Sequence, residues 1–315
     1  LLSVVGQLHW FGISLVTGAL VSSGLLWALR GAGAAGWVST AIPAAVGAAV
    51  AVAGMVVAFL RYFGERAPAG KAAQRIKLPP PSHLLVALAP YFGYGVLYTL
   101  VVLAGHVGIV LGGLQLQQGQ VAAIAGAELA LMLALISYIL MGGLAEHTMQ
   151  RFWLRITAYQ DSVLARTPRA FGRRVEAFYR RERRHYVTAL VIGSVVVSMM
   201  VLLGTAFNSG RLLGVVWDQT IATVFAIGLA GYGVLGVAMF DAMLFITLSR
   251  PRFAMSALAI ALAVTLVSGM VLAMTVSYAA GAWGVALGAG AGAVAMRFQQ
   301  RRFLADADYY FYASF

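Results

Sequence analysis

Residues 187–207 read Val-Thr-Ala-Leu-Val-Ile-Gly-Ser-Val-Val-Val-Ser-Met-Met-Val-Leu-Leu-Gly-Thr-Ala-Phe, an uncharged run close behind Arg180-Arg181-Glu182-Arg183-Arg184. A helix needs about 20 mainly apolar residues to cross the hydrocarbon of a bilayer. Arginines packed against one end of such a run mark the face that stays in the cytoplasm, because moving them across is disfavoured. This pairing of an uncharged span with a basic border decides the fold class, and it recurs along the chain.

Working outward, seven further runs have the same character, at about 8–29, 37–61, 84–105, 121–143, 220–247, 253–277 and 280–297. Helices are expected throughout, since each run satisfies its own backbone hydrogen bonds and none alternates in strand fashion. Composition agrees: 61% of residues are hydrophobic and 10% charged, against roughly 45–50% and 25% in ordinary soluble domains. The reading is an all-α polytopic membrane protein with about eight transmembrane helices.

Alternating eight spans sorts the basic residues by side. Five lie between the second and third spans (Arg61, Arg66, Lys71, Arg75, Lys77), and ten between Arg151 and Arg184. Arg250 and Arg252 follow the sixth span, and Arg297, Arg301 and Arg302 close the last; only Arg30 and Arg211 fall on the other side. Both termini of this segment are then cytoplasmic. The formal net charge of +12 marks that face and gives no reason to expect nucleic acid. With no cysteine in the chain, disulfides, thiolate metal sites and a cysteine nucleophile are excluded. The start at Leu1 without Met reads as the later part of a longer polypeptide.

Domain organisation follows. Residues 1–61 hold two transmembrane helices. Residues 62–83 form a basic, Pro-rich cytoplasmic linker, stiffened at Pro79, Pro80 and Pro81. Residues 84–297 form a six-helix unit with a cytoplasmic amphipathic insert at 144–186, and 298–315 an aromatic cytoplasmic tail. In the insert, Phe152, Ile156, Tyr159 and Val163 recur at helical spacing, as do Phe171, Val175, Phe178 and Tyr179. Two surface helices joined near Thr167-Pro168 are expected. Their arginines, with Arg173, Arg174, Phe178, Arg180 and Arg181 foremost, suit anionic membrane lipid or a docked cytosolic partner.

Catalytic signatures are missing: there is no His-Glu-x-x-His, Gly-x-Ser-x-Gly, Walker lysine loop or paired-Cys zinc pattern. The chain reads as no enzyme, with no catalytic residue, cofactor or metal. Gly31-x-Gly33-x-x-Gly36 has no strand before it and is a chance match. The five histidines (His9, His83, His106, His147, His185) are too scattered to suggest a metal site.

Ionisable residues inside spans are costly and are functional candidates by default. Glu128 in the fourth span and Asp241 in the sixth qualify. Each either binds a coupling cation, a proton or a polar substrate, or pairs with a neighbouring helix. Pro90-Tyr91-Phe92-Gly93-Tyr94-Gly95 marks the third span as broken or kinked near its middle. Gln115, Gln117, Gln118 and Gln120 form a polar external loop suited to hydroxyl groups or to plain solvation. Gly284, Gly288, Gly290 and Gly292 give close helix packing, and Trp10, Trp37, Trp217 and Trp283 an interfacial belt.

Four stretches carry a resemblance: Pro81-Ser-His-Leu-Leu85 with Pro90-Tyr91-Phe92-Gly93-Tyr94; Ala145-Glu146 and Tyr159-Gln160-Asp161 with Val175-Glu176-Ala177-Phe178-Tyr179; Phe240-Asp241 through Ser249-Arg250-Pro251-Arg252; and Trp283-Gly284 to Gly288 with Arg301-Arg302 and Asp308-Tyr309-Tyr310-Phe311-Tyr312. In this order they make residues 84–315 similar to the second half of the PelG-like exopolysaccharide transporters, within the multidrug/oligosaccharidyl-lipid/polysaccharide exporter superfamily. That family has twelve helices, so 1–61 would match its fifth and sixth. The chain departs from it at Leu97 and Tyr98, where the family carries a charged pair. The resemblance implies a MATE-like fold, with six helices as one bundle and a solvated cavity between two bundles. It also implies export of a Pel-like polysaccharide or its lipid-linked precursor across a bacterial inner membrane, along a path lined by uncharged hydrogen-bonders and aromatics such as Tyr94, Tyr98, Ser137, Tyr138 and Tyr232. Its implied partners are a cytosolic glycosyltransferase and other membrane subunits of a secretion complex. The alternatives are a cation-coupled small-molecule exporter and a membrane scaffold anchoring a polysaccharide synthase.

Overall fold

The computed structural model describes residues 81–113, 121–162, 168–212, 215–248 and 250–305, together with scattered helical positions between Thr17 and Val57. Its contacts divide the chain into Leu1–Pro79 and Pro80–Phe315. In the first unit the described positions fall inside the two expected spans, and Val21, Ile42, Val46 and Val57 are exposed.

Among the described residues, the second unit contains six long helices: α1 (Pro81–Gly113), α2 (Val121–Ser162), α3 (Pro168–Phe207), α4 (Gln219–Thr247), α5 (Pro251–Thr275) and α6 (Trp283–Ala305). All six are long and apolar enough to cross a membrane. The chain is a multi-pass, all-α membrane protein. A short hairpin of β1 (Arg211–Leu212) and β2 (Val215–Val216) joins α3 to α4, with Arg211 opposite Val216. The turn before it uses positive φ at Ser209 (50°) and Gly210 (75°), a conformation glycine adopts without steric cost. Asp218 then caps α4, its carboxylate accepting the Ile221 N–H at 2.8 Å. That role accounts for the one acid in the segment joining the fifth and sixth spans.

Helix lengths differ from the sequence reading in one instructive way. The insert at 144–186 is not a separate pair of surface helices. Its halves continue the spans on either side, giving 42 residues in α2 and 40 in α3. At 1.5 Å per residue each is roughly 60 Å long, about twice the thickness of the hydrocarbon. The expected stripes explain why. Ala145, Met149, Phe152 and Ile156 of α2 and Phe171, Val175, Tyr179 and Tyr186 of α3 are buried in one core with Phe240, Phe245 and Phe303. Phe152 meets Tyr179 edge-on, with ring centroids 5.8 Å apart. Each such side chain contributes roughly 1.5–3 kcal/mol on burial, so the stripes are consumed within the molecule.

Pro90 does not break its helix. It lies within α1, which runs unbroken from Pro81 to Gly113. The contact of α6 with α5 fits the small-residue reading. A Cβ on Gly284 would stand 2.6 Å from the Gly269 Cα, and one on Gly288 would collide with the Thr265 hydroxyl of α5. Gly292 meets Ala261 in the same way, whereas Gly290 faces open space. Three glycines at four-residue spacing thus let α6 lie against α5.

Candidate functional site

Extending α1 to Gly113 carries His106 inside the bundle. Its Nδ1 lies 2.5 Å from Oε2 of Glu128 on α2, and the two side chains are 15% and 19% exposed. Across from them Tyr232 of α4 is fully buried; its hydroxyl lies 3.5 Å from His106 Nε2 and 3.4 Å from the Val102 carbonyl, to which it donates. The second carboxylate oxygen of Glu128 is buried without a hydrogen-bond partner among the described residues. A carboxylate with one free oxygen, an imidazole and a phenol therefore converge from three helices.

An aromatic column runs away from this cluster. Tyr232 leads to Tyr138 (centroids 6.4 Å), Tyr138 to Tyr98 (6.0 Å), and Tyr98 to Tyr94 (6.1 Å). Met239 joins two of the rings, its sulfur accepting from the Tyr138 hydroxyl at 3.0 Å and the Tyr98 hydroxyl at 3.4 Å. Five expected path residues, Glu128, Tyr94, Tyr98, Tyr138 and Tyr232, thus form one continuous assembly. Tyr138 and Tyr232 are core residues here, with no ring face open to stack on a sugar. Ser137 is buried and donates to the Ala134 carbonyl of its own helix at 2.8 Å.

Asp241 belongs elsewhere. Its Oδ1 accepts from the Tyr179 hydroxyl and from Nε of Arg183, the latter at 2.9 Å. Asp241 is 1% exposed, and its two partners both come from α3. One helical turn away, Glu182 is buried and paired with Arg155 of α2. These contacts are interhelical ties among α2, α3 and α4. Asp241 is thus paired with a neighbouring helix, as Glu128 is with His106.

Sequence reading missed His106, Met239, Tyr179 and Arg183. His106 stands one position past the expected end of its span, and Arg183 lies in the insert expected as surface helices, apart from any span. The four-residue spacing of Tyr179, Arg183 and Tyr186 (three for the last step) on one apolar stripe was the available signal.

The expected docking residues lie along the outer side of α3. Arg173, Arg174, Arg180 and Arg181 are exposed and Phe178 is half-buried. Arg174 sits over the Phe178 and Tyr159 rings, 5.3 and 5.8 Å from their centroids. Arg180 pairs with Glu176 one turn back. Because Phe152, Ile156, Phe171 and Val175 are already buried, this surface offers a partner charge and little apolar area.

Among the described residues, no three His, Cys, Asp or Glu side chains come together as a metal site. The glutamine loop at 115–120, Gly31, Gly33 and Gly36, Trp10 and Trp37, Val163 and Thr167, the linker up to Pro80 and the tail from 306 lie outside the described residues. Trp217 packs edge-on against Phe225 at 5.8 Å, and Trp283 is half exposed at the start of α6. No family model, curated protein or solved structure matches this chain.

Proposed function

We propose that this chain is a transport subunit of a bacterial inner membrane, exporting a Pel-like exopolysaccharide or its lipid-linked precursor. The resemblance at Pro90–Tyr94, Val175–Tyr179, Phe240–Asp241 and Trp283–Gly288 supports the substrate class and a MATE-like arrangement of α1 to α6. The observation that carries a transport role is the His106–Glu128–Tyr232 cluster inside the membrane bundle. An acid in hydrocarbon is expensive, and here one of its oxygens is left free. The cluster supports a second element of the reading, that export is coupled to a proton taken up by Glu128 and relayed through His106, or to a small cation held at Glu128. The arginine face of α3 serves a cytosolic glycosyltransferase by charge attraction.

The test is deletion of the gene in a strain that secretes such a polymer. Export should cease while the polymer, or its lipid-linked precursor, accumulates inside the cell. Undiminished secretion from the deletion strain would reject the transport role; loss of polymer synthesis altogether would favour a scaffold that anchors the synthase.

A further inference from the structure

Between the basic half of α3 and the end of α6 lies a cavity of about 320 Å³, lined by Glu176, Tyr179, Arg180, Arg297, Arg301 and the apolar pair Leu304 and Ala305. Three guanidiniums and one carboxylate thus face the same space. Glu176 is already engaged by Arg180, whose Nε lies 3.2 Å from its Oε1. The Tyr179 hydroxyl is committed to Asp241. Neither Arg297 nor Arg301 forms a salt bridge among the described residues, although the Arg297 charge also acts on Asp241. Arg297 is held in place instead by the buried Gln300, whose Oε1 accepts from its Nη1 at 2.5 Å. Among the described residues, two positive charges one helical turn apart, one of them pre-oriented, therefore border a cavity whose lining holds a single carboxylate.

We infer that this cavity is a binding site for a phosphate group. A guanidinium presents a planar fork that matches phosphate oxygens in pairs. Side chains four apart on a helix are neighbours at roughly 5–6 Å, so Arg297 and Arg301 grip different oxygens of one phosphate or of a diphosphate. The volume holds a headgroup or a diphosphate, and Leu304 and Ala305 supply an apolar wall for whatever continues from it. The same chemistry serves a lipid headgroup and a free phosphate compound. The site is distinct from the His106–Glu128 cluster, and its test reads binding alone, whatever the chain transports.

The experiment uses the full chain in mild detergent, with native mass spectrometry in the presence of phosphatidylglycerol or phosphatidylcholine. A parallel thermal melt adds inorganic pyrophosphate. Preference for phosphatidylglycerol, weakened about tenfold or more in Arg297→Gln/Arg301→Gln, establishes a lipid headgroup site. Stabilisation by pyrophosphate that the double variant loses, without a lipid preference, establishes a site for a soluble phosphate compound. Arg302→Gln is the control, since Arg302 lies over the Phe298 ring and not in the cavity. If the double variant does not fold, Ala305→Phe must reproduce the loss by filling the cavity with no change of charge. Wild type and variants that respond alike to both ligands overturn the inference.

Discussion

At the scale of single residues, the two intramembrane acids part company, and substitution separates their roles. Asp241 holds Arg183 and Tyr179 with almost no exposure. Asp241→Asn leaves the Arg183 charge half-buried and unbalanced, and breaking such a pair costs roughly 3–5 kcal/mol. The expected outcome is a clear fall in the thermal midpoint of the purified protein, and an unchanged midpoint would contradict the assignment. Glu128→Gln keeps the shape of a side chain that is already partly open, so it should insert and melt like wild type while export fails. Both acids were legible in the sequence because charge is conspicuous in an apolar run. Their partners were not: His106 lay beyond the expected end of a span, and Arg183 sat in a stretch rich enough in arginine to hide it.

At the scale of elements, spans were legible and their ends were not. Hydropathy locates the stretch a bilayer can hold and is silent about a helix that continues past it. In α2 and α3 that continuation is stabilised by Phe152, Ile156, Phe171 and Tyr179. Phe152→Ala should therefore cost about 3–5 kcal/mol and detach the basic half of the hairpin. Limited proteolysis is the check: new cleavage between Arg151 and Arg184 is expected, and resistance equal to wild type would contradict the shared core. The α5–α6 contact gives a sharper comparison within one helix. Gly288→Val forces a methyl group into Thr265 and should cost about 1–3 kcal/mol. Gly290→Val meets open space and should stay within about 0.5 kcal/mol of wild type. Melting the two variants side by side decides it. The glycines were visible in sequence, but only packing distinguishes the three that face α5 from the one that does not.

For the whole molecule, the arginine asymmetry makes a topological prediction that the absence of cysteine renders simple to test. Asn208→Cys and Arg181→Cys place single thiols at exposed positions on either side of the uncharged run 187–207. A membrane-impermeant maleimide should label the first in intact spheroplasts and the second only after permeabilisation; the reverse would invert the chain. The fold class was readable from composition and run length, because a bilayer imposes those two quantities directly. The assembly of Glu128 with four tyrosines was not, since it depends on which helices become neighbours. The most direct test of the account is polymer secretion by Glu128→Gln, His106→Asn and the double variant, compared at equal membrane abundance. The account predicts that each single change lowers secretion by about tenfold or more, the scale of one charged hydrogen bond, and that the double variant is no worse than either. Wild-type secretion by the double variant would contradict it.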